Sequence, residues 1–155
     1  MRTGRRLAID VGKVRIGVAA SDFHAILASG VSTITRSDDI SVSISEILSF
    51  IAEIDPIEIY VGYPISLSGK SNSSSSDAIS FAKEISSRLS VPIRLIDERM
   101  TTITASNVLK LSGRDSKTGR KVIDQIAATV ILEQAIETER LTGKVPGIPI
   151  EEIDE

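Results

Sequence analysis

The sequence predicts a three-layer α/β domain built on a mixed five-stranded sheet. Residues 5–11 and 15–21 are apolar and β-branched segments joined by a short turn at Gly12-Lys13, and a weaker third strand is expected around 26–34. Two later strand patterns alternate with helical patterns, which predicts parallel strands joined by right-handed crossovers. The chain of 155 residues is 41% hydrophobic, enough for one domain with a substantial core.

The later elements follow from the spacing of apolar residues and from turn residues. Ser37, Asp38 and Asp39 are typical helix-start residues, and isoleucines recur at helical spacing from Ile40 until the pattern ends before Pro56. A loop rich in Gly, Pro and Ser follows Tyr63. The other predicted elements are strands at 57–62 and 91–96 and helices at about 78–89, 102–111 and 120–140.

Composition excludes several classes of protein. The chain has no cysteine and one histidine, so disulfides, thiolate metal sites and histidine-rich sites are not expected. No apolar run approaches the ~20 residues that span a membrane, and the basic start is not followed by a signal-peptide pattern, so a cytoplasmic protein is expected. We expect one domain over residues 1–142 and a disordered acidic tail over 143–155.

The net charge of −3 conceals local clusters of cations. Lys110, Arg114, Lys117, Arg120 and Lys121 lie within twelve residues, and such a stripe is either a phosphate-binding surface or a solvated face. A second cluster opens the chain, where a solvated surface is the favoured interpretation; its members are Arg2, Arg5 and Arg6.

Asp10 places a carboxylate inside an apolar strand. An unpaired buried carboxylate costs on the order of several kcal/mol, so it must be neutralised, paired or bound to metal. Pairing with a cation such as Arg15 or Arg99 is the structural interpretation; metal binding is the functional one.

Asp97 and Glu98 lie at the end of the last predicted strand. In open α/β sheets, sites form at the carboxyl ends of parallel strands, so these acids are expected near Asp10. Strand alternation sends the two side chains to opposite faces, so only one is expected to be a direct ligand. A capping or turn role is favoured for Asp97, and Glu98 is the better ligand candidate.

Asp124 is the third acid, predicted in the first turn of an apolar helix. Interaction with the helix dipole, worth ~0.3–1 kcal/mol, is one explanation. The alternative is that the helix packs closely on the sheet through Ala127 and Ala128, which directs Asp124 to the sheet's rim. Asp10, Glu98 and Asp124 together would form a hard oxygen site, for which Mg²⁺ or Mn²⁺ is the expected occupant.

Four segments, taken in order, resemble the motifs of the YqgF or RuvX family of Holliday junction resolvase-like and pre-16S rRNA nucleases. They are IDVGKVRIGVAASD, VGYPISLSG, LIDERMTT and KVIDQIAATVILE, and the resemblance spans roughly residues 5–140. It implies an RNase H-like fold and a metal-dependent nuclease that matures the 5′ end of precursor 16S rRNA, or one that resolves branched DNA. Ribosomal particles are implied partners, and a monomer or a homodimer is compatible with the family.

The resemblance also implies roles for individual residues. Asp10, Glu98 and Asp124 match the acidic active-site residues and would bind the metal. On physical grounds, Arg99, Arg120 and Lys121 are expected to hold the phosphate backbone without reading sequence. Lys13 and Arg15, beside the turn after Asp10, are weaker candidates for the same role, because hairpin cations are usually solvated. The sequence SGKSNSSSS stands where the family often has glycines flanking an acid, so no acidic role is carried over there.

Two other interpretations remain open at the level of sequence. Asp10-x-Gly12 also opens the phosphate-binding strand of sugar kinases and actin-like ATPases, but those proteins close two such domains over ATP in longer chains. A non-catalytic RNA-binding assembly factor with the same fold is the second alternative.

Overall fold

The computed structural model describes residues 1–63, 73–97 and 117–153, without the side chains of 73–75 and 117–121. Within these ranges the helices and strands occur in the predicted order. They are β1 (Arg6–Val11), β2 (Arg15–Ser21), β3 (Ala28–Thr35), α1 (Ile40–Ile54), β4 (Glu58–Tyr63), α2 (Ser73–Ser86), β5 (Ile93–Asp97), α3 (Lys117–Thr142), β6 (Ile148–Pro149) and a 3₁₀ turn (Ile150–Glu152). The predicted helix at 102–111 lies outside the described residues.

The described strands form one mixed sheet in the order β3-β2-β1-β4-β5-β6. Strands β1, β2 and β3 pair antiparallel, and β4 pairs parallel with both β1 and β5. The predicted meander followed by parallel strands is therefore confirmed. The sheet has six strands rather than the predicted five, because β6 pairs antiparallel with β5.

The segment after Gly143 differs from the predicted disordered tail. Ile148 pairs with Leu95 in the sheet, and Ile150 is 2% exposed within the main core. The Arg94 guanidinium also donates to the Gly147 carbonyl oxygen at 2.8 Å. The segment after Gly143 is therefore held in place by the burial of one isoleucine and by these backbone contacts, although its Pro and Gly content alone predicts disorder.

The two faces of the sheet carry different cores. On one face, alternate strand residues such as Leu7, Ile9 and Val61 pack with α1 and α2. On the other face, small residues pack with α3 and give the helix room; among them are Ala8, Ala19 and Ala128. The close approach of α3 predicted from its alanines is confirmed, and the three-layer architecture follows.

Helix α1 begins where the sequence predicts. Asp39 is its N-cap, and the Asp39 carboxylate accepts a hydrogen bond from the Ser41 amide at 3.0 Å. Asp55 ends the helix in a left-handed conformation with φ 52°.

A buried ionic cluster joins the end of α3 to the start of the sheet. Glu139 of α3 accepts hydrogen bonds from Arg2 at 2.6 Å and from Arg6 at 3.1 Å. Arg2 also donates to Glu58 at 2.9 Å, and Arg6 lies opposite Glu58 in the β1–β4 pairing. Arg6, Glu58 and Glu139 are at most 3% exposed, so the predicted solvated surface is wrong for Arg6, and Arg2 is partly buried as well. Arg5 alone of that trio is exposed.

The buried cluster shifts the ionisation of its members. Burial alone would raise the pKa of Glu139, but the hydrogen bonds and charges of Arg2 and Arg6 outweigh burial and hold this pKa below its usual value. Burial, followed by the nearby Glu58 carboxylate, raises the pKa of the Tyr60 hydroxyl. At neutral pH the Glu139 carboxyl is therefore ionised and the Tyr60 hydroxyl keeps its proton.

Candidate active site

Asp10 is partly buried near the end of β1, a strand with β2 on one side and β4 on the other. Because side chains alternate along a strand, Asp10 shares a face with Ala8, which packs beneath α3. Gly17 of β2 lies directly opposite Asp10 in the antiparallel pairing. Directly opposed residues have Cα atoms about 4.5–5.5 Å apart and share a face, so the missing side chain of Gly17 leaves space beside Asp10.

The backbone of α3 fills the space above Gly17. A Cβ atom placed on Gly17 would lie 2.0 Å from the carbonyl oxygen and 2.6 Å from the carbonyl carbon of Asp124. Only glycine therefore permits this contact between helix and strand. The contact places Asp124 of α3 over the sheet face that carries Asp10, above the strand next to β1.

The sequence predicted that Asp124 lies in the first turn of its helix, and this prediction is wrong. Helix α3 begins at Lys117, so Asp124 lies about two turns further on, and the first turn holds no acidic residue. Interaction with the helix dipole falls off within the first turn and therefore does not explain Asp124. Its position is explained by the packing of α3 on β2 instead.

Arg15 binds Asp124. Arg15 Nε lies 2.6 Å from Asp124 Oδ2, and the two side chains are 26% and 16% exposed. Among the described residues, no donor contacts the second oxygen, Oδ1. In the structure, Arg15 therefore pairs with Asp124. The sequence had suggested that Arg15 binds substrate or pairs with Asp10. The ion pair joins residues 109 positions apart, which explains why local patterns gave no sign of it.

Side-chain contacts from Gln125 and Gln134 hold α3 across the sheet. Gln125 Nε2 donates to Thr33 Oγ1 of β3 at 3.2 Å, and the Gln125 side chain covers Gly30. At the other side of the sheet, Gln134 Nε2 donates to the Asp97 carbonyl oxygen at 3.2 Å. The helix is therefore held to strands on both sides of β1.

The remaining predicted site residues are only partly within the described structure. Glu98 and Arg99 lie outside the described residues, and Arg120 and Lys121 belong to α3 without described side chains. Asp97 ends β5, and strand alternation places its side chain on the face of Leu95, away from α3.

The turn that follows Asp10 is held by a residue that the sequence analysis did not single out. Arg36 donates to the Gly12 carbonyl oxygen at 3.0 Å and to both carboxylate oxygens of Asp77 in α2, at 2.6 and 3.2 Å. Its guanidinium also lies 5.2 Å from the centre of the Phe81 ring. Lys13 and Arg36 line an open cleft of about 500 Å³ beside this turn. Arg36 thereby connects the end of β1 to α2.

The donor set is suited to a hard divalent cation, although it is incomplete in the described ranges. Asp10 and Asp124 supply carboxylate oxygens on one face, and the second oxygen of Asp124 faces no described donor. Residues 1–63, 73–97 and 117–153 contain no group of three His, Cys, Asp or Glu side chains arranged to hold a metal ion. The third candidate, Glu98, lies outside those ranges.

Sheet order and the long helix across one face define the class of the domain as an RNase H-like fold. In a comparison of folds, RuvC from Thermus thermophilus, solved with a Holliday junction substrate, superposes with a TM-score of 0.58 at 13% identity. The match covers 94% of this chain and 98% of that chain. The expected RNase H-like fold is therefore confirmed.

The chain belongs to the RuvX family, described as Holliday junction resolvases, whose model matches residues 4–138. Two similar relatives each carry the name "Putative pre-16S rRNA nuclease". The protein from Clavibacter michiganensis is 45% identical over 99% of this chain and 97% of its own length. The protein from Streptomyces coelicolor is 47% identical over 97% of this chain and 90% of its own length. The family resemblance predicted from the four motifs is confirmed.

The described part of the chain contains no helix with the length and apolar character needed to cross a membrane.

Proposed function

We propose that this protein is a metal-dependent nuclease that hydrolyses phosphodiester bonds during 5′-end maturation of precursor 16S rRNA. The observation that carries the proposal is that Asp10 and Asp124 lie on one face of the sheet: Asp10 is directly opposite Gly17, and the Asp124 backbone packs over Gly17. Carboxylate oxygens presented from two elements on one face are the type of ligand that a hard divalent cation prefers. Family membership and the names of the two relatives support the same activity.

Asp10, Glu98 and Asp124 are the proposed metal ligands and catalytic residues. Bound Mg²⁺ or Mn²⁺ would supply activation of water and stabilisation of the leaving oxygen. The orientation of β5 favours Glu98 over Asp97, because the Asp97 side chain lies on the face opposite Asp10 and Asp124. Asp10 and Asp124 would each offer oxygens from a rigid element, which keeps the site in place between turnovers.

Arg99, Arg120 and Lys121 are the proposed contacts to the phosphate backbone of the substrate. Such contacts position a strand and carry no sequence information. Arg15 contributes in a different way, because its guanidinium binds Asp124.

We place the activity in the cytoplasm, on precursor rRNA or on ribosomal particles that contain it, with a monomer sufficient for cleavage of one strand. Resolution of Holliday junctions is the second candidate, and the description of the family favours it. That reaction acts on two symmetric strands and would need a homodimer with two active sites.

Asp10→Asn tests the proposal on both substrates, precursor 16S rRNA and four-way DNA junctions, each with Mg²⁺ and with Mn²⁺. We expect cleavage to fall at least 100-fold, since removal of one group that stabilises developing charge costs ~10²–10³ in rate. Asp55→Asn is the matched control, because Asp55 lies at the C-terminus of α1 in a left-handed conformation that asparagine tolerates.

Each outcome distinguishes the candidates. Cleavage of rRNA by the wild type and the Asp55 variant, but not by the Asp10 variant, supports the proposal. Cleavage confined to junctions would favour the second candidate. Binding of RNA without cleavage by the wild type would identify a non-catalytic assembly factor, and full activity of the Asp10 variant would overturn the proposed site.

A further inference from the structure

The ion pair between Arg15 and Asp124 has the features of a contact in which Asp124 can exchange Arg15 for another cation. Only one nitrogen, Nε, contacts one carboxylate oxygen, Oδ2, at 2.6 Å. Both side chains are partly exposed, at 26% and 16%, so neither charge would be trapped in the core if the contact opened. Asp124 Oδ1 faces no donor among the described residues.

The backbone around this ion pair is fixed independently of the pair. The Arg15 carbonyl oxygen accepts a hydrogen bond from the Gly12 amide at 2.9 Å, which closes the turn between β1 and β2. Asp124 is held through its backbone against Gly17. Opening of the ion pair would therefore move two side chains and leave both elements in place.

Charge supplies the reason for the pair. Asp124 carries its negative charge at a partly exposed position, and a nearby cation stabilises the ionised carboxylate. Arg15 is the described cation that contacts Asp124. A divalent cation bound by Asp124 would supply the same compensation and would compete with Arg15 for this carboxylate.

We propose that Arg15 is a positioning residue that holds Asp124 at the rim through this ion pair and releases the carboxylate when a divalent cation binds. This inference rests on the proposed metal-dependent function. Two consequences follow: Arg15 weakens metal binding by competition, and the energetic coupling between Arg15 and Asp124 disappears when metal saturates the site.

The experiment measures Mn²⁺ binding by calorimetry, without any substrate, for the wild type and for Arg15→Gln. Glutamine keeps a hydrogen-bond donor and removes the charge, so we expect the dissociation constant for Mn²⁺ to fall about two- to fivefold, the range of a partly exposed ion pair. Arg88→Gln is the control, because Arg88 pairs with Glu84 on α2 and its loss changes net charge without touching the site. Its Mn²⁺ affinity should equal that of the wild type.

A double-mutant cycle with Arg15→Gln, Asp124→Asn and the double variant then tests exchange directly. Thermal unfolding without metal should show favourable coupling between the two positions, and unfolding in saturating Mn²⁺ should show none. If the Arg15 glutamine variant does not fold, Arg15→Lys replaces it; its single ammonium keeps the charge, so Mn²⁺ affinity should stay within twofold of the wild type.

The two proposals fail in different ways. Unchanged or weaker Mn²⁺ binding by Arg15→Gln, or coupling that persists in saturating Mn²⁺, would overturn the exchange and leave the metal site standing. For the lysine variant, a change of more than twofold would do the same. Absence of Mn²⁺ binding in the wild type, or binding insensitive to Asp10→Asn and Asp124→Asn, would overturn the proposed function and the exchange with it.

Discussion

The two halves of α3 are joined to the sheet by ion pairs of opposite character. Near its end, Glu139 is 3% exposed and contacts two arginines, of which Arg6 is 1% exposed. Near its start, Asp124 contacts one arginine through one oxygen, and Arg15 is about a quarter exposed. The residue types are similar, but the first pair is enclosed by partners and the second is open on one side.

The difference separates the structural role of Glu139 from the functional role proposed for Asp124. A buried charge that loses its partner remains in a medium that cannot solvate it, so the Glu139 cluster has no alternative arrangement. Water or a cation can replace a partner at the rim, so the Asp124 pair has alternatives. The burial of the paired side chains, more than the presence of an ion pair, therefore distinguishes a contact that only stabilises the fold from one that can take a new partner.

Glu139→Gln should produce the largest loss of stability. The substitution leaves Glu58 as the one described carboxylate of the cluster beside Arg2 and Arg6, so one positive charge loses its compensation, and breaking a buried pair in this way costs about 3–5 kcal/mol. Urea unfolding measures the loss. Asp124→Asn is the control at the rim, where removal of a partly exposed pair should cost at most about 1 kcal/mol. Equal losses for the two variants would contradict the comparison.

Gly17→Ala should have the next largest effect. Its Cβ would collide with the carbonyl group of Asp124, which is backbone and cannot rotate away, so α3 must shift. Overpacking of this kind costs about 1–3 kcal/mol, and cleavage should fall with it. Gly30→Ala is the matched comparison on the same face, because its Cβ would meet the movable side chain of Gln125 at 2.8 Å. A Gly30 variant as impaired as the Gly17 variant would argue against a specific role for the contact with Asp124.

A smaller effect is expected from pH. The pKa of Glu139 is lowered in the folded protein, so its contribution to stability is complete above the usual carboxyl value and is lost as pH falls through the lowered one. Between pH 7 and pH 4 only part of this contribution disappears. The difference in unfolding free energy between the wild type and Glu139→Gln should therefore shrink on acidification. A difference that grows as pH falls would show that the pKa is raised instead.

Local patterns predicted most of the fold, because strands and helices here follow the periodicity of their apolar residues. The apolar, β-branched run in residues 5–11 and the helical spacing after Ile40 each correspond to an element of the structure. Strand β6 was missed because it has two residues, one of them Pro149, and no periodicity can be read from so short a segment. The burial of Ile150 depends on a tertiary contact that composition does not reveal.

The site was predictable only as far as unusual residues stand out in the sequence. Asp10 stood out as a charge in an apolar strand, and Arg6 and Glu58 carry the same signal in β1 and β4. Those two were missed because their partners lie far away in the chain, at Arg2 and Glu139. The pairing of Arg15 with Asp124 was hidden for the same reason. Sequence identifies the anomalous charge, and only the fold identifies its partner.

The contacts of α3 at both ends make the length of the helix between them functionally significant. Asp124 and Glu139 are fifteen residues apart, roughly 22 Å along the axis and close to four full turns, so both side chains face the sheet. One inserted residue would rotate one end against the other by about 100°. With Glu139 fixed in its buried cluster, that rotation would turn Asp124 away from Asp10. The number of residues between Asp124 and Glu139 therefore sets the direction in which Asp124 points at the candidate site. This stretch of helix can tolerate substitutions far better than changes in length.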